Sequence, residues 1–296
     1  MSAKPRVTVL TITYRPGYID TLVQALRDQT LDRSRWEWVL VDDLHDQRCE
    51  AVAEHIDGAF SYKHLPSREI RPYSATATAV NTGLAVAEGE LIYFMADYAY
   101  PHPTCLERHW DIYSRFGPNV LISGPLIDGI TCSGQSVYGR TPETAAKAHM
   151  LTVKVGETPI TYPEHLPPIT VPLKPGFEHP TKENLISIWL EPFHPLWPEA
   201  PGTDWRMGFI TPNIIESDLY LHTAEPKWWW GGRNDSAPLA LLRQAGGFDE
   251  TSEWKHGNLD IELQQRMMAS GAFYLVDRRA PCLILPHPTR KRESVT

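Results

Sequence analysis

Residues 7–43 read VTVLTITYRPGYIDTLVQALRDQTLDRSRWEWVLVDD. Val7–Thr13 is short and rich in β-branched residues, the composition of a strand. Tyr14-Arg15-Pro16-Gly17 interrupts it with two strong breakers. Ile19, Leu22, Val23 and Leu26 then fall at i, i+3, i+4 and i+7, which predicts an amphipathic helix to about Thr30. Trp36–Val41 is a second strand and ends in Asp42-Asp43. A strand, a helix and a strand in succession form the crossover that parallel pairing requires.

The pattern continues outward. Gln47–Ile56 reads as a weaker helix and Phe60–Leu65 as a short strand. Tyr73–Ala87 is rich in small residues, with Ala77, Val80, Leu84 and Ala87 along one side and Gly89 as a stop. In LIYFMADYAYPHP (91–103), Leu91–Met95 is a buried strand that meets a lone acid, Asp97. Pro103 begins a helix striped by Leu106, Trp110 and Tyr113, and Val120–Ser123 is a further strand. The fold class is therefore α/β, Rossmann-like, with a mainly parallel sheet and helices on both faces.

The 296 residues suffice for one large domain with a substantial core. The net charge of −8 disfavours nucleic acid and anionic membrane as general partners, although Arg290-Lys291-Arg292 is locally basic. Four cysteines without CxxC spacing read as reduced thiols. Neither a secretory signal nor a membrane span is expected, so the reading is cytoplasmic.

Composition changes after Gly124. Fourteen of the 26 prolines lie between Pro125 and Pro212, so long regular elements are not expected there. Order resumes near Trp228. Leu239–Ala245 is a short helix closed by Gly246-Gly247, and Leu259–Ser270 is another. Phe273–Val276 and Cys282–Leu285 read as closing strands.

Ligands of open α/β sheets bind beyond the carboxyl ends of the strands. Thr13-Tyr14-Arg15, Asp42-Asp43 and Asp97 all follow strands and would share that edge. Acids in these positions also serve as helix caps and turn formers. The chain lacks GxGxxG after the first strand, GxxxxGK[ST] and HExxH, which argues against a dinucleotide site, a P-loop and a zinc hydrolase.

Four blocks carry a family resemblance. The opening 7–43 stretch resembles the start of family 2 glycosyltransferases. NTGLAVAEGELIYFMADYAYPHP (81–103), GGRNDSAPLALLRQAGGFDE (231–250) and HGNLDIELQQRMMASG (256–271) are similar to that family's later blocks, in the same order. The resemblance implies a GT-A fold and a nucleotide-sugar donor, with a UDP-sugar favoured. It divides the chain into a nucleotide-sugar-binding half (1–124), an irregular Pro/Trp-rich insertion within the same domain (125–227) and an acceptor/catalytic half (228–296). Thr13, Tyr14, Asp43 and Asn81 would line the donor pocket, with Arg15 and Arg71 as candidates to neutralise the diphosphate. Asp97 occupies the place of the family's Asp-x-Asp motif and would hold Mn²⁺ or Mg²⁺, with His287 as a second candidate ligand. The usual second carboxylate is absent, since Ala96 and Tyr98-Ala99 flank Asp97.

The resemblance also places a catalytic base at Asp260, where Leu259-Asp260 stands for the family's Glu-Asp pair and implies an inverting transfer to an acceptor hydroxyl. The alternative is that Asp260 only favours the helix N-terminus. Glu262, two residues on, is directed elsewhere around the helix. Trp228-Trp229-Trp230 precede Gly231-Gly232. Trp229 and Trp230 could stack on a sugar or base, or could pack beneath the insertion. Gly231 and Gly232 would let a ligand approach the backbone. A saccharide acceptor is favoured, and a modified base in DNA, of the phage type, is an alternative. Nucleotidyl transfer and a catalytically inactive sugar-nucleotide-binding module are the competing classes.

Overall fold

A computed structural model describes residues 4–13, 19–67, 75–124, 126–128, 153–155, 169–171, 214–216, 219–222, 232–251, 259–277 and 279–284. Its strands are β1 (Val7–Thr13), β2 (Trp36–Asp42), β3 (Ser61–Pro66), β4 (Leu91–Met95), β5 (Ala99–Pro101), β6 (Val120–Ser123), β7 (Leu126–Asp128), β8 (Val153–Val155), β9 (Ile169–Val171), β10 (Ile214–Glu216), β11 (Leu219–His222), β12 (Asn234–Pro238), β13 (Phe273–Asp277) and β14 (Cys282–Ile284). The described helices of a turn or more are α1 (Ile19–Arg27), α2 (His45–Ile56), α3 (Ala75–Val86), α4 (Cys105–Phe116), α5 (Leu239–Gln244) and α6 (Leu259–Ala269).

Nine strands form the main sheet in the order β10-β11-β13-β6-β12-β4-β1-β2-β3. β3, β2, β1 and β4 run parallel, as expected of strands joined through helices. β12 enters antiparallel between β4 and β6, and β13 lies parallel to β6. A second sheet has the order β5-β14-β7, and β8 pairs with β9. The stretch expected to be irregular thus supplies β10 and β11 to the main sheet.

Alternation along the strands creates two cores. Val7, Val9, Trp36, Trp38, Leu40, Leu91 and Tyr93 face one side, against Leu22 and Leu26 of α1, Val52 and Ile56 of α2, and Leu106 of α4. Leu10, Val39, Val41, Ile92 and Phe94 face the other, against Ala77 and Leu84 of α3, Leu242 of α5, and Leu263 and Met267 of α6. The period-2 pattern with both faces covered explains why these strands carry apolar residues on both faces. Each fully buried large side chain, such as Trp36 or Leu91, contributes about 1.5–3 kcal/mol by leaving water. Among the described residues no helix is long and apolar enough to cross a membrane.

Candidate active site

Six strands of the main sheet, β1, β2, β3, β4, β6 and β13, point the same way, so their carboxyl ends define one edge. At that edge the Thr13 hydroxyl donates to Asp97 Oδ2 at 2.9 Å, joining residues 84 apart in sequence. Asp97 is 4% exposed and lies in the turn between β4 and β5. A buried carboxylate requires such donors, because desolvation without them is costly.

The two adjacent acids after β2 have different surroundings. Asp42 is fully buried. Arg48 of α2 reaches it through Nε and Nη2, at 2.7 Å from Oδ2 and Oδ1 respectively. His64 Nε2 lies 2.9 Å from Oδ2, and the Leu44 N–H donates to Oδ1 at 2.8 Å. Burial pushes the Asp42 carboxyl up, but His64, Arg48 and the Leu44 amide outweigh it and hold the group at about 2. Arg48 Nη2 also lies 3.4 Å from the Thr13 hydroxyl oxygen. His64, Asp42, Arg48, Thr13 and Asp97 therefore form one polar chain across the edge. Asp43 is exposed, and its N–H donates to the Thr13 carbonyl at 3.0 Å. Its carboxylate has no hydrogen-bond or ion-pair partner among the described residues.

Asp260 opens α6, and the Ile261 N–H lies 3.0 Å from its Oδ1. Burial raises its carboxyl most strongly, amides of the first helical turn lower it, the Asp235 charge raises it and Arg233 lowers it, leaving it at about 6. Because β12 runs against β4, its first residue reaches the carboxyl edge: Asn234 pairs with Met95, two residues before Asp97. Gly232, at φ +62°, and Arg233 immediately precede Asn234 at this edge. Glu262 is engaged by Arg266 through contacts of 2.6 and 2.7 Å, so its carboxylate is committed along the helix.

Asn81 is committed to a loop. Its Nδ2 donates to the Phe248 carbonyl and to Glu250 Oε1, each at 2.8 Å, and its Oδ1 accepts the Phe248 N–H at 2.9 Å. It thereby ties α3 to the Gly-Gly-Phe-Asp-Glu segment that leads towards α6. Gly247 there has φ +70°, and a Cβ on it would lie 2.6 Å from Asn81 Oδ1, so glycine suits both the backbone and the space. Tyr14, Arg15, Arg71, Trp229, Trp230, Gly231 and His287 lie outside the described residues.

Sequence reading passed over three residues of this region. Arg48 and His64 carry no motif, and only the three-dimensional neighbourhood of Asp42 reveals them. Asp235 sits in Asn-Asp-Ser-Ala-Pro, which lacks the β-branched alternation that marks a strand. Among the described residues, no group of three or more His, Cys, Asp or Glu comes together to hold a metal. What they offer a divalent cation is the Asp97 carboxylate. That fits Mg²⁺ or Mn²⁺ bound chiefly by phosphate and water, since such ions need only one or two protein carboxylates.

The fold resembles the GT-A fold of several solved structures. S. aureus TarS 1–349 matches with a TM-score of 0.51 at 17% identity, over 94% of this chain and 60% of that one. Mannosyltransferase PcManGT from Pyrobaculum calidifontis, in complex with GDP-Man and Mn²⁺, matches at 0.52 and 16%, over 98% of this chain and 59% of that one. GalNAc-T7 with UDP, GalNAc and Mn²⁺ matches at 0.55 and 12%, over 95% of this chain and 44% of that one. This chain thus spans under two thirds of the length of each of these structures. Residues 8–134 match the sequence family Glycosyl transferase family 2. No curated protein matches the chain in sequence.

Proposed function

We propose that the chain is an inverting glycosyltransferase that moves a sugar from a nucleotide-sugar, a UDP-sugar, to an acceptor hydroxyl on a saccharide. The observation that carries this reading is Asp260: a largely buried carboxylate at the start of α6, raised to about 6, on the edge where Thr13 meets Asp97. At neutral pH such a group is ionised yet more basic than an ordinary aspartate, which suits a general base. Asp260 takes the acceptor proton, the freed oxygen attacks the anomeric carbon, and the nucleoside diphosphate leaves from the opposite face. A single displacement of this kind inverts the anomeric centre.

Asp43, exposed beside Thr13, is available to accept the uracil N3–H. Tyr14, Arg15 and Arg71 remain assigned to the nucleotide and its diphosphate, and Trp229 or Trp230 to stacking on the acceptor. Asn81 is assigned to holding the Phe248–Glu250 loop. A divalent cation, when bound, supplies positive charge to the departing diphosphate, and Asp97, with His287 as the second candidate, is the residue to hold it.

The test has two parts. A thermal-shift screen of UDP- and GDP-sugars, with and without Mn²⁺, identifies the donor by the stability it adds. Asp260→Asn should then reduce transfer by about 10²–10⁴-fold while leaving donor binding intact. Undiminished turnover in that variant removes Asp260 from the mechanism. Release of pyrophosphate in place of nucleoside diphosphate would point to nucleotidyl transfer.

A further inference from the structure

Asn234 opens β12 and is fully buried, with its side-chain amide bonded at both ends. Its Oδ1 accepts the Tyr93 hydroxyl at 2.6 Å, and its Nδ2 donates to the Ala280 carbonyl at 2.8 Å. Its own carbonyl accepts the Gly124 N–H at 3.0 Å. A Cβ on Gly124 would collide with the Ala280 oxygen and with Asn234 Nδ2, so glycine is what lets that carbonyl reach the amide. One side chain thus ties β4 to the segment that leads from β13 into β14, beside the end of β6.

That segment reaches the Asp97 turn. Cys282, Leu283 and Ile284 of β14 pair with Pro101, Tyr100 and Ala99 of β5. Just before them, the Pro281 carbonyl accepts the His102 N–H at 2.9 Å and the Cys105 thiol at 3.1 Å. Ala99 also closes the turn that carries Asp97, since its N–H donates to the Ala96 carbonyl at 3.1 Å. The other end of the turn is bordered by β12 itself, because Asn234 pairs with Met95. Both borders of the Asp97 turn therefore lead to Asn234, one through the ladder with β4 and the other through β14.

We propose that Asn234 positions Asp97 for the divalent cation of the nucleotide-sugar donor by fixing where β14 seats on β5. This rests on Asp97 being the residue that holds the cation. Asn234 is a positioning residue that acts through the turn. β14 has three residues, so its own ladder specifies register only weakly. A slip of one residue along β5 would send every side chain to the opposite face. Anchoring the Ala280 carbonyl, two residues before β14, removes that freedom and holds Ile284 against the residue that closes the turn.

Amide hydrogen exchange of the full chain tests the clamp without any ligand. In Asn234→Ala the amides of β5 and β14 should exchange roughly tenfold faster relative to those of β1 and β2. A merely structural Asn234 would lower the melting temperature and speed all four strands alike. Calorimetry with UDP then reads the site: affinity in Mn²⁺ should fall by roughly tenfold, and affinity in EDTA should stay at the wild-type value. An unchanged ratio of exchange rates, or a Mn²⁺-dependent affinity equal to wild type, overturns the proposal. If Asn234→Ala does not fold, Tyr93→Phe removes one hydroxyl from the same amide and carries both measurements, with the same outcomes deciding. A wild-type protein whose binding of UDP does not respond to Mn²⁺ would instead end the assignment of Asp97 to a cation, and this inference with it.

Discussion

Arg48 holds both carboxylate oxygens of the fully buried Asp42, each at 2.7 Å. The pair bridges β2 and α2 directly behind Thr13. Taking one member away strands the other charge in the interior. Arg48→Met should therefore cost about 3–5 kcal/mol, read as a lower urea midpoint at pH 7. The Asp42 carboxyl is held at about 2, below its ordinary 3.8, so its stabilisation is complete above pH 4 and is lost as the pH falls towards 2. The acid unfolding of Arg48→Met should accordingly be flatter over that window. Equal urea midpoints for variant and wild type would contradict this account.

Thr13→Val keeps the shape of the side chain and removes the hydroxyl that links Arg48 to Asp97. A buried acceptor that loses its donor costs about 1–3 kcal/mol of stability. The same loss removes one of the contacts that orient Asp97, so the affinity for UDP in the presence of Mn²⁺ should fall by roughly tenfold, an energy of the same order. Isothermal titration calorimetry of the two proteins gives the comparison, and identical dissociation constants would sink the assignment of Thr13 to the donor pocket.

Asp260→Asn should make the protein more stable at neutral pH while it disables transfer. The carboxyl is at about 6 in the folded chain against an ordinary 3.8, so the folded state resists ionisation. Wild type therefore loses stability as the pH rises from about 4 to about 6, and the penalty persists above that range. The asparagine variant escapes it, by up to about 3 kcal/mol at pH 7.5 and by nothing from this source below pH 4. Denaturant midpoints at pH 4 and pH 7.5 should show the gap opening, and a gap independent of pH would refute it.

Gly247→Ala brings two penalties, a methyl group 2.6 Å from Asn81 Oδ1 and an unfavourable φ of +70°. Together they should cost about 1–3 kcal/mol. In an Asn81→Ala background only the backbone penalty remains, so the substitution should cost less there. A double-mutant cycle on denaturant midpoints measures the difference, and perfect additivity would dissociate Asn81 from the loop.

The first part of the fold was legible because its elements obey local rules. Leu91–Met95 is a five-residue apolar run between Gly89-Glu90 and Ala96-Asp97, and it forms β4 with those limits. Ile19, Leu22, Val23 and Leu26 repeat at helical spacing and bury together in α1. Thr13 and Asp97 stood out as polar residues closing such strands. β12 was not legible, because Asn-Asp-Ser-Ala-Pro becomes a strand through the partners on either side of it, β4 and β6, and not through its own propensity. The environment of Asp42 was hidden for a related reason: which of two adjacent acids turns inward depends on where Arg48 and His64 arrive.

The reversed strand also governs how the chain can be made. Ser123 and Asp235 touch across neighbouring strands yet lie 112 residues apart, so β4 and β6 cannot be joined until the segment that inserts between them has been synthesised. A nascent chain ending shortly after β6 presents two apolar strand borders with nothing seated between them, a condition that invites pairing with other chains. Truncation after residue 124 should yield sticky, incompletely folded material, because the first two fifths of this protein form an open sheet that its last quarter closes.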